Sequence, residues 1–205
     1  MKSFDAPPYK DEKLQSLNLP NFGIIQSKLN DSFVKYLWDI IDIAKQNKIP
    51  NPYEGGNDNL KGLAESIKLN DKDNQFLEIL PDYVTQYKHS FGETFWTDND
   101  GKIETEFRLN GVWVNFQKEG QFNAAHTHAG IFSFVIWLKC PSPATFQFTY
   151  PTTLGGLNHL AFNTDSSYEN MMLLFPSQLL HQVYPFYDSS EERVSIAGNV
   201  GVYNK

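Results

Sequence analysis

The chain has 205 residues, which suits one domain, or one domain with an appendage, and lets roughly 70% of the unfolded chain's surface be buried without disulfide or metal staples. Hydrophobic residues at 40% and charged residues at 20% exclude a disordered chain. Aromatics at 15% favour β-strands and a bulky core over a helical bundle. The net charge of −7 sets the chain against phosphate backbones, and its one cysteine, Cys140, excludes an internal disulfide and any multi-cysteine zinc site. Residues 1–13 hold no apolar stretch of the signal-peptide kind, and apolar runs such as 134–138 are far too short to span a bilayer. A soluble, cytoplasmic protein is expected.

In chain order, 22–25 reads as a short strand. Asn30 or Asp31 then caps a helix over 33–45, where Phe33, Leu37, Ile40, Ile41 and Ala44 recur at helical spacing. Ile49-Pro50-Asn51-Pro52 and Gly55-Gly56 stop that helix, and the turn formers across 51–59 predict a mobile loop. A second helical region is expected around 75–91, started or interrupted by Pro81. Asp98-Asn99-Asp100-Gly101 is a strong turn signal. Beyond it lie seven short β-branched or aromatic runs at 103–109, 112–117, 131–138, 145–150, 171–175, 182–186 and 194–202. Asn110-Gly111, between the first two, predicts a two-residue hairpin turn. No internal repeat is present. Seven short strands with turns between them describe a β-sandwich or jelly roll. The expected fold is therefore α+β and mainly β, one domain over 1–205, with a helical part over 1–97 bracing the sheet of a jelly-roll core over 98–205.

The chemistry-bearing residues concentrate in that core. His126-Thr127-His128 places two imidazoles on one face if the segment is a strand, about 6.6 Å apart along the chain, and both can reach one metal ion. A third ligand must come from another strand, and His181 is the natural choice. A lone H-x-H is short and common, and it equally fits two histidines at a loop edge. Arg193 follows His181 by twelve positions and opens Arg193-Val194-Ser195. On a strand antiparallel to that of His181, it would return beside the metal and bind a carboxylate bidentately, with the Ser195 hydroxyl as a further donor. Its ordinary alternative is a surface ion pair with Glu191 or Glu192. Asn115 and Gln117 share a strand face. His89 reads as an exposed helix residue, His159 as a loop residue able to reach the mouth, and Cys140 as a quiet strand end. Trp113, Phe116 and Phe122 read as core.

Taken in order, Trp113-Val114-Asn115, Gly120, His126-Thr127-His128, Phe175-Pro176-Ser177, His181, Pro185 and Glu192-Arg193-Val194-Ser195-Ile196 with Asn199 resemble the iron(II)- and 2-oxoglutarate-dependent oxygenases of marine bacteria and their phages. The resemblance covers 111–200, slightly under half the chain. It implies a double-stranded β-helix with Fe(II) in its mouth, held by His126, His181 and, where the broader pattern has Asp or Glu, His128. It also implies Arg193 and Ser195 on the C5 carboxylate of the cosubstrate 2-oxoglutarate, with Asn115 and Gln117 on its C1 end or on the substrate. The implied reaction is hydroxylation of a small molecule or peptide by dioxygen, with decarboxylation of 2-oxoglutarate to succinate. The implied location is the cytoplasm, a host's if the protein is phage-encoded. Prolyl hydroxylation is an analogy, and the acidic charge disfavours polyanionic substrates and nucleic acid. Two readings compete: a three-histidine zinc hydratase or hydrolase, which gives Arg193 no task, and a non-enzymatic β-sandwich binding module.

Overall fold

A computed structural model describes residues 15–18, 23–47, 49, 64–91, 105–152 and 154–204. The expected loop at 51–59 and turn at 98–101 lie outside them. Helix α1 (Asp31–Asn47) is capped by Asn30, whose side-chain oxygen accepts from the Phe33 N–H at 2.8 Å. Asp31 is instead its first helical residue, where a carboxylate favours the helix dipole. Helix α2 (Gln75–Phe91) begins six positions before Pro81, because the Asp71 carboxylate accepts from the Gln75 and Phe76 N–H groups at 2.9 and 3.1 Å. Pro81 is exposed inside the helix and does not end it. Each helix buries one stripe, Phe33, Leu37, Ile40, Ile41 and Ala44 on α1 and Phe76, Leu80, Tyr83, Val84 and Tyr87 on α2.

The strands are β1 (Gln15–Asn18), β2 (Gly23–Lys28), β3 (Glu65–Lys68), β4 (Thr105–Gln117), β5 (Asn123–His126), β6 (Phe132–Lys139), β7 (Ala144–Pro151), β8 (Leu157–Thr164), β9 (Met171–Pro176), β10 (Leu180–Val183) and β11 (Arg193–Asn204). They form a seven-stranded sheet, β1-β2-β9-β6-β11-β4-β3, and a four-stranded sheet, β5-β10-β7-β8. Within these sheets β4-β11-β6-β9 faces β5-β10-β7-β8, which is the double-stranded β-helix. Strand alternation divides the interior into two cores. Val112, Val114 and Phe116 of β4, Phe134 and Ile136 of β6, and Val194 and Ile196 of β11 pack with the helices. Val135 and Trp137 of β6, Leu173 and Phe175 of β9, and Phe146, Phe148, Leu160 and Phe162 pack between the sheets. Because β6 is buried on both faces, it reads as one apolar run rather than an alternation. Arg193 and Ser195 have the period of the inward set.

Several sequence expectations change. The first third is not helical alone, since β1, β2 and β3 extend the large sheet on both edges. From Thr105 on, the two runs expected at 103–109 and 112–117 are one strand. Asn199 pairs with Gly111 and Val200 with Leu109, so Asn110 is the extra residue of a bulge and no hairpin turn forms there. Strands β1, β3, β5 and β8 are unannounced by periodicity, and the run at 182–186 is realised as Leu180–Val183. Strands β10 and β11 are not neighbours either: they lie in different sheets. Arg193 therefore approaches the interior from across the barrel.

Candidate active site

His126, the last residue of β5, is the register partner of His181 on β10. Inter-strand pairing thus holds these two imidazoles side by side, with ring centroids 4.4 Å apart. His128 lies beyond the end of β5, so strand alternation is not what brings it in. Its N–H donates to the Ser177 carbonyl and its own carbonyl accepts from Gln178 Nε2, both at 2.9 Å. Ser177 is in turn held by its N–H to the Ile131 carbonyl and by a buried hydroxyl chain, Ser177 Oγ to Ser133 Oγ at 2.9 Å and Ser133 Oγ to Asn199 Oδ1 at 2.8 Å. The His128 ring ends 4.8 Å from that of His126 and 5.1 Å from that of His181.

The turn that delivers His128 depends on Gly130, whose φ of +108° is closed to side-chain-bearing residues. A Cβ there would also stand 2.9 Å from the Val200 carbonyl oxygen. Gly130→Ala is expected to cost about 1–3 kcal/mol of stability, read from a denaturant titration, and to weaken metal binding by displacing His128.

The ligand atoms of the three histidines lie within 4.8 Å of one another, and the cluster contains no carboxylate. Side-chain shifts on the order of an ångström bring three imidazole nitrogens to bonds of about 2.1 Å from one ion. The protonation states favour this. His126 Nδ1 contacts the Ala124 carbonyl at 2.5 Å and His181 Nδ1 the Leu179 carbonyl at 2.8 Å. A carbonyl only accepts, so Nδ1 carries the proton and Nε2 keeps its lone pair for a metal. Burial lowers all three pKa values below that of a free imidazole, His128 to about 4 with help from His126, and His181 well below it.

These shifts set a pH dependence. The folded pKa values lie below the unfolded one of about 6.5, so the neutral, metal-ready form persists as pH falls through 6.5. Proton competition begins only toward the lowered values. Cobalt(II) absorbance in an acid titration is expected to survive well below pH 6.5, and release with a midpoint at or above 6.5 would contradict this. The same shifts destabilise the metal-free protein in acid, because below about pH 6.5 the unfolded chain binds imidazole protons that the folded chain refuses.

Arg193, 1% exposed, stands on β11 with its guanidinium inside the barrel. One nitrogen, Nη2, donates to Thr164 Oγ1. The Cys140 thiol, its pKa raised to about 11 mainly by burial and so neutral, is the other side chain that the guanidinium meets. Nη1 is buried with no hydrogen-bond partner, and no carboxylate pairs with the guanidinium among the described residues. Glu191 and Glu192, the expected surface partners, pair instead with Lys139 and Lys118. A buried guanidinium with an orphan donor is a strong signal for an absent anion. The donor set and this cation together fit a metal ion with a carboxylate-bearing cosubstrate.

Ser195 and Asn115 are register partners on β11 and β4 and share the inward face with Arg193. Gln117 is already committed, its Nε2 donating to the carbonyls of Gln121 and Tyr184. Trp113 and Phe116 do not form one cluster. Phe116 joins the helix-side core, while the Trp113 ring lies 5.5 Å from that of His128. His159 is not in a loop: it sits on β8, hydrogen-bonded to Thr149 and Gln147. His89 is exposed at the end of α2. Sequence reasoning missed Thr164 and Ser133, since a buried threonine at a strand end and a serine in an apolar run look like ordinary β residues, and it met Ser177 and Asn199 only as part of the family resemblance, without their bonds to Ser133. No helix among the described residues is long and apolar enough to cross a membrane.

Residues 111–199 match the family model described as "Putative 2OG-Fe(II) oxygenase". No curated protein matches the chain. Among solved structures, a prolyl-4-hydroxylase from Pseudomonas putida superposes with a TM-score of 0.56 at 13% identity, covering 90% of this chain and 94% of that one. A 2OG-Fe(II) oxygenase-family oxidoreductase from Burkholderia pseudomallei gives 0.50 at 17% identity over 86% and 84%. The epimerase SnoN of nogalamycin biosynthesis, solved with Fe3+ and alpha ketoglutarate, gives 0.54 at 13% identity over 90% and 82%. At these identities the likeness is one of fold.

Proposed function

We propose that this chain, whose residues 111–199 match the 2OG-Fe(II) oxygenase family model, is such an oxygenase and hydroxylates a small molecule or peptide while converting 2-oxoglutarate to succinate. The observation that carries the proposal is a three-histidine cluster and a buried, anion-lacking arginine facing one interior. His126, His128 and His181 would hold the iron, the first and last through Nε2. Iron and 2-oxoglutarate, when bound, supply dioxygen activation coupled to oxidative decarboxylation, and the protein's part is orientation and a dry pocket.

Arg193 would bind the C5 carboxylate, with its unpartnered Nη1 supplying the donor and Ser195 adding a hydroxyl. Asn115, opposite Ser195, is placed to meet the other end of the diacid or the substrate. Phe146, Phe148 and Phe175 pack on the His181 ring and keep water from that side. Three neutral ligands leave the metal's full +2 charge uncancelled by the protein, so the dianionic cosubstrate supplies the first negative charge it meets. The net charge of −7 favours neutral or basic substrates over polyanions. The prolyl-4-hydroxylase likeness makes peptidyl proline the first substrate to try.

The test is anaerobic. The protein with Fe(II) and 2-oxoglutarate is expected to develop the weak visible charge-transfer band of the chelate, and to form succinate once oxygen and a substrate are admitted. Iron binding without the band would remove the oxygenase reading.

A further inference from the structure

We propose that Thr164 is a positioning residue for the cosubstrate, acting through Arg193 and setting the length of diacid that the pocket accepts. This rests on the oxygenase reading above. Thr164 is the last residue of β8 and is fully buried. Its hydroxyl hydrogen is spent on the carbonyl of Ala144, its register partner on β7, at 2.8 Å. The oxygen therefore faces Arg193 Nη2 only as an acceptor. The bond joins the four-stranded sheet to β11 of the seven-stranded sheet, so it ties the guanidinium to a fixed point on the opposite wall.

That fixed point has a defined relation to the metal ligands. His181 pairs with Phe148 and Thr164 with Ala144, both on β7 and four residues apart, which is about 13 Å along the strand. One rigid strand thus carries both registers, that of the histidine cluster and that of the arginine's tether. The tether also decides which nitrogen is left for a ligand. With Nη2 engaged by Thr164, Nη1 is the free donor. Cys140 is a neutral neighbour and no counter-ion, so the tether holds the guanidinium without neutralising it. An untethered arginine side chain has several rotatable bonds with which to follow a longer or shorter ligand. A tethered one presents its charge at one depth.

The experiment uses the full chain loaded with manganese(II) and titrated calorimetrically with 2-oxoglutarate and with 2-oxoadipate, which is one methylene longer. The wild type is expected to bind 2-oxoglutarate and to discriminate against 2-oxoadipate. Thr164→Val is expected to weaken 2-oxoglutarate by about tenfold or more, as loss of a buried hydrogen bond to a charged group does, and to narrow the preference between the two diacids. Manganese affinity should stay at the wild-type value. Thr164→Ser, which keeps the hydroxyl, should stay within about threefold of wild type on both diacids, and Thr164→Ala serves on the same criteria if the valine variant does not fold. A structural role alone would lower the melting temperature and leave the diacid preference intact. The proposal is overturned by a folded Thr164→Val or Thr164→Ala protein with wild-type affinity and preference, or by Thr164→Ser failing as valine does. If the wild type binds manganese and neither diacid, the oxygenase reading itself has failed, and this inference goes with it.

Discussion

His181→Ala is expected to abolish metal binding and to cost stability as well. The residue is 4% exposed, packs its ring against Phe146, Phe148 and Phe175, and aims Nε2 at the cluster. Losing one of three ligands should exceed the 10–100-fold loss of affinity typical of outer-shell changes. Truncating a buried ring also leaves a cavity, worth about 2–4 kcal/mol by analogy with other large-to-small core substitutions. His128→Ala separates the two effects. His128 is less buried than His181 and stands outside any strand, so the metal should go while the melting temperature of the metal-free protein moves much less. Metal content after equilibrium dialysis, with thermal melts of both variants, reads the contrast. Equal destabilisation by the two variants would mean that His128 is a packing residue.

Arg193→Met is expected to eliminate 2-oxoglutarate binding, spare the metal and stabilise the ligand-free protein. A buried guanidinium with an orphan donor and no carboxylate is costly to fold around, and its pKa is pushed down chiefly by that burial. Replacing buried charged groups with apolar side chains of similar shape stabilises proteins by about 1–4 kcal/mol in favourable cases. Methionine spares Thr164, whose hydroxyl keeps its bond to Ala144. The order should reverse with ligand. At 2-oxoglutarate about 100-fold above its dissociation constant, the metal-loaded wild type gains about 2.7 kcal/mol, and the variant gains nothing. Denaturant midpoints with and without 2-oxoglutarate test both halves. A variant less stable than wild type without ligand would show that Arg193 has an internal counter-charge.

The contrast between what the sequence showed and what it hid has a physical pattern. His126 and His128 stood out by their i, i+2 spacing, His181 as the third ligand that such a pair needs, and Arg193 by its place twelve positions after His181 at the head of an apolar strand. The helices were legible because an amphipathic stripe is a local property. Sheet membership is not local. Nothing near Arg193 says that β11 inserts between β4 and β6 while β10 joins the other sheet, so a neighbouring-strand geometry was the natural and mistaken inference. Asn110-Gly111 has the composition of a hairpin turn, and only the register against Asn199 and Val200 makes it a bulge. Short strands such as Glu65–Lys68 and Asn123–His126 have four residues each and too few periods to announce themselves. Thr164 was invisible for a different reason: its role lies in a bond to a residue 29 positions away.

The two halves of the site are built on strands of very different security. Arg193 and Ser195 ride on β11, which is bonded on both sides by β4 and β6 near the middle of the larger sheet. His126 rides on β5, four residues long, at the margin of the smaller sheet and bonded, among the described residues, to β10 alone. Opening free energies follow that difference: a doubly paired central strand is released only when the whole domain comes apart, whereas a short marginal strand frays by itself. For a metal held as proposed, exchange would have a low-energy route through β5 that leaves the strand of Arg193 standing, and a lost ion could be replaced without a round of refolding.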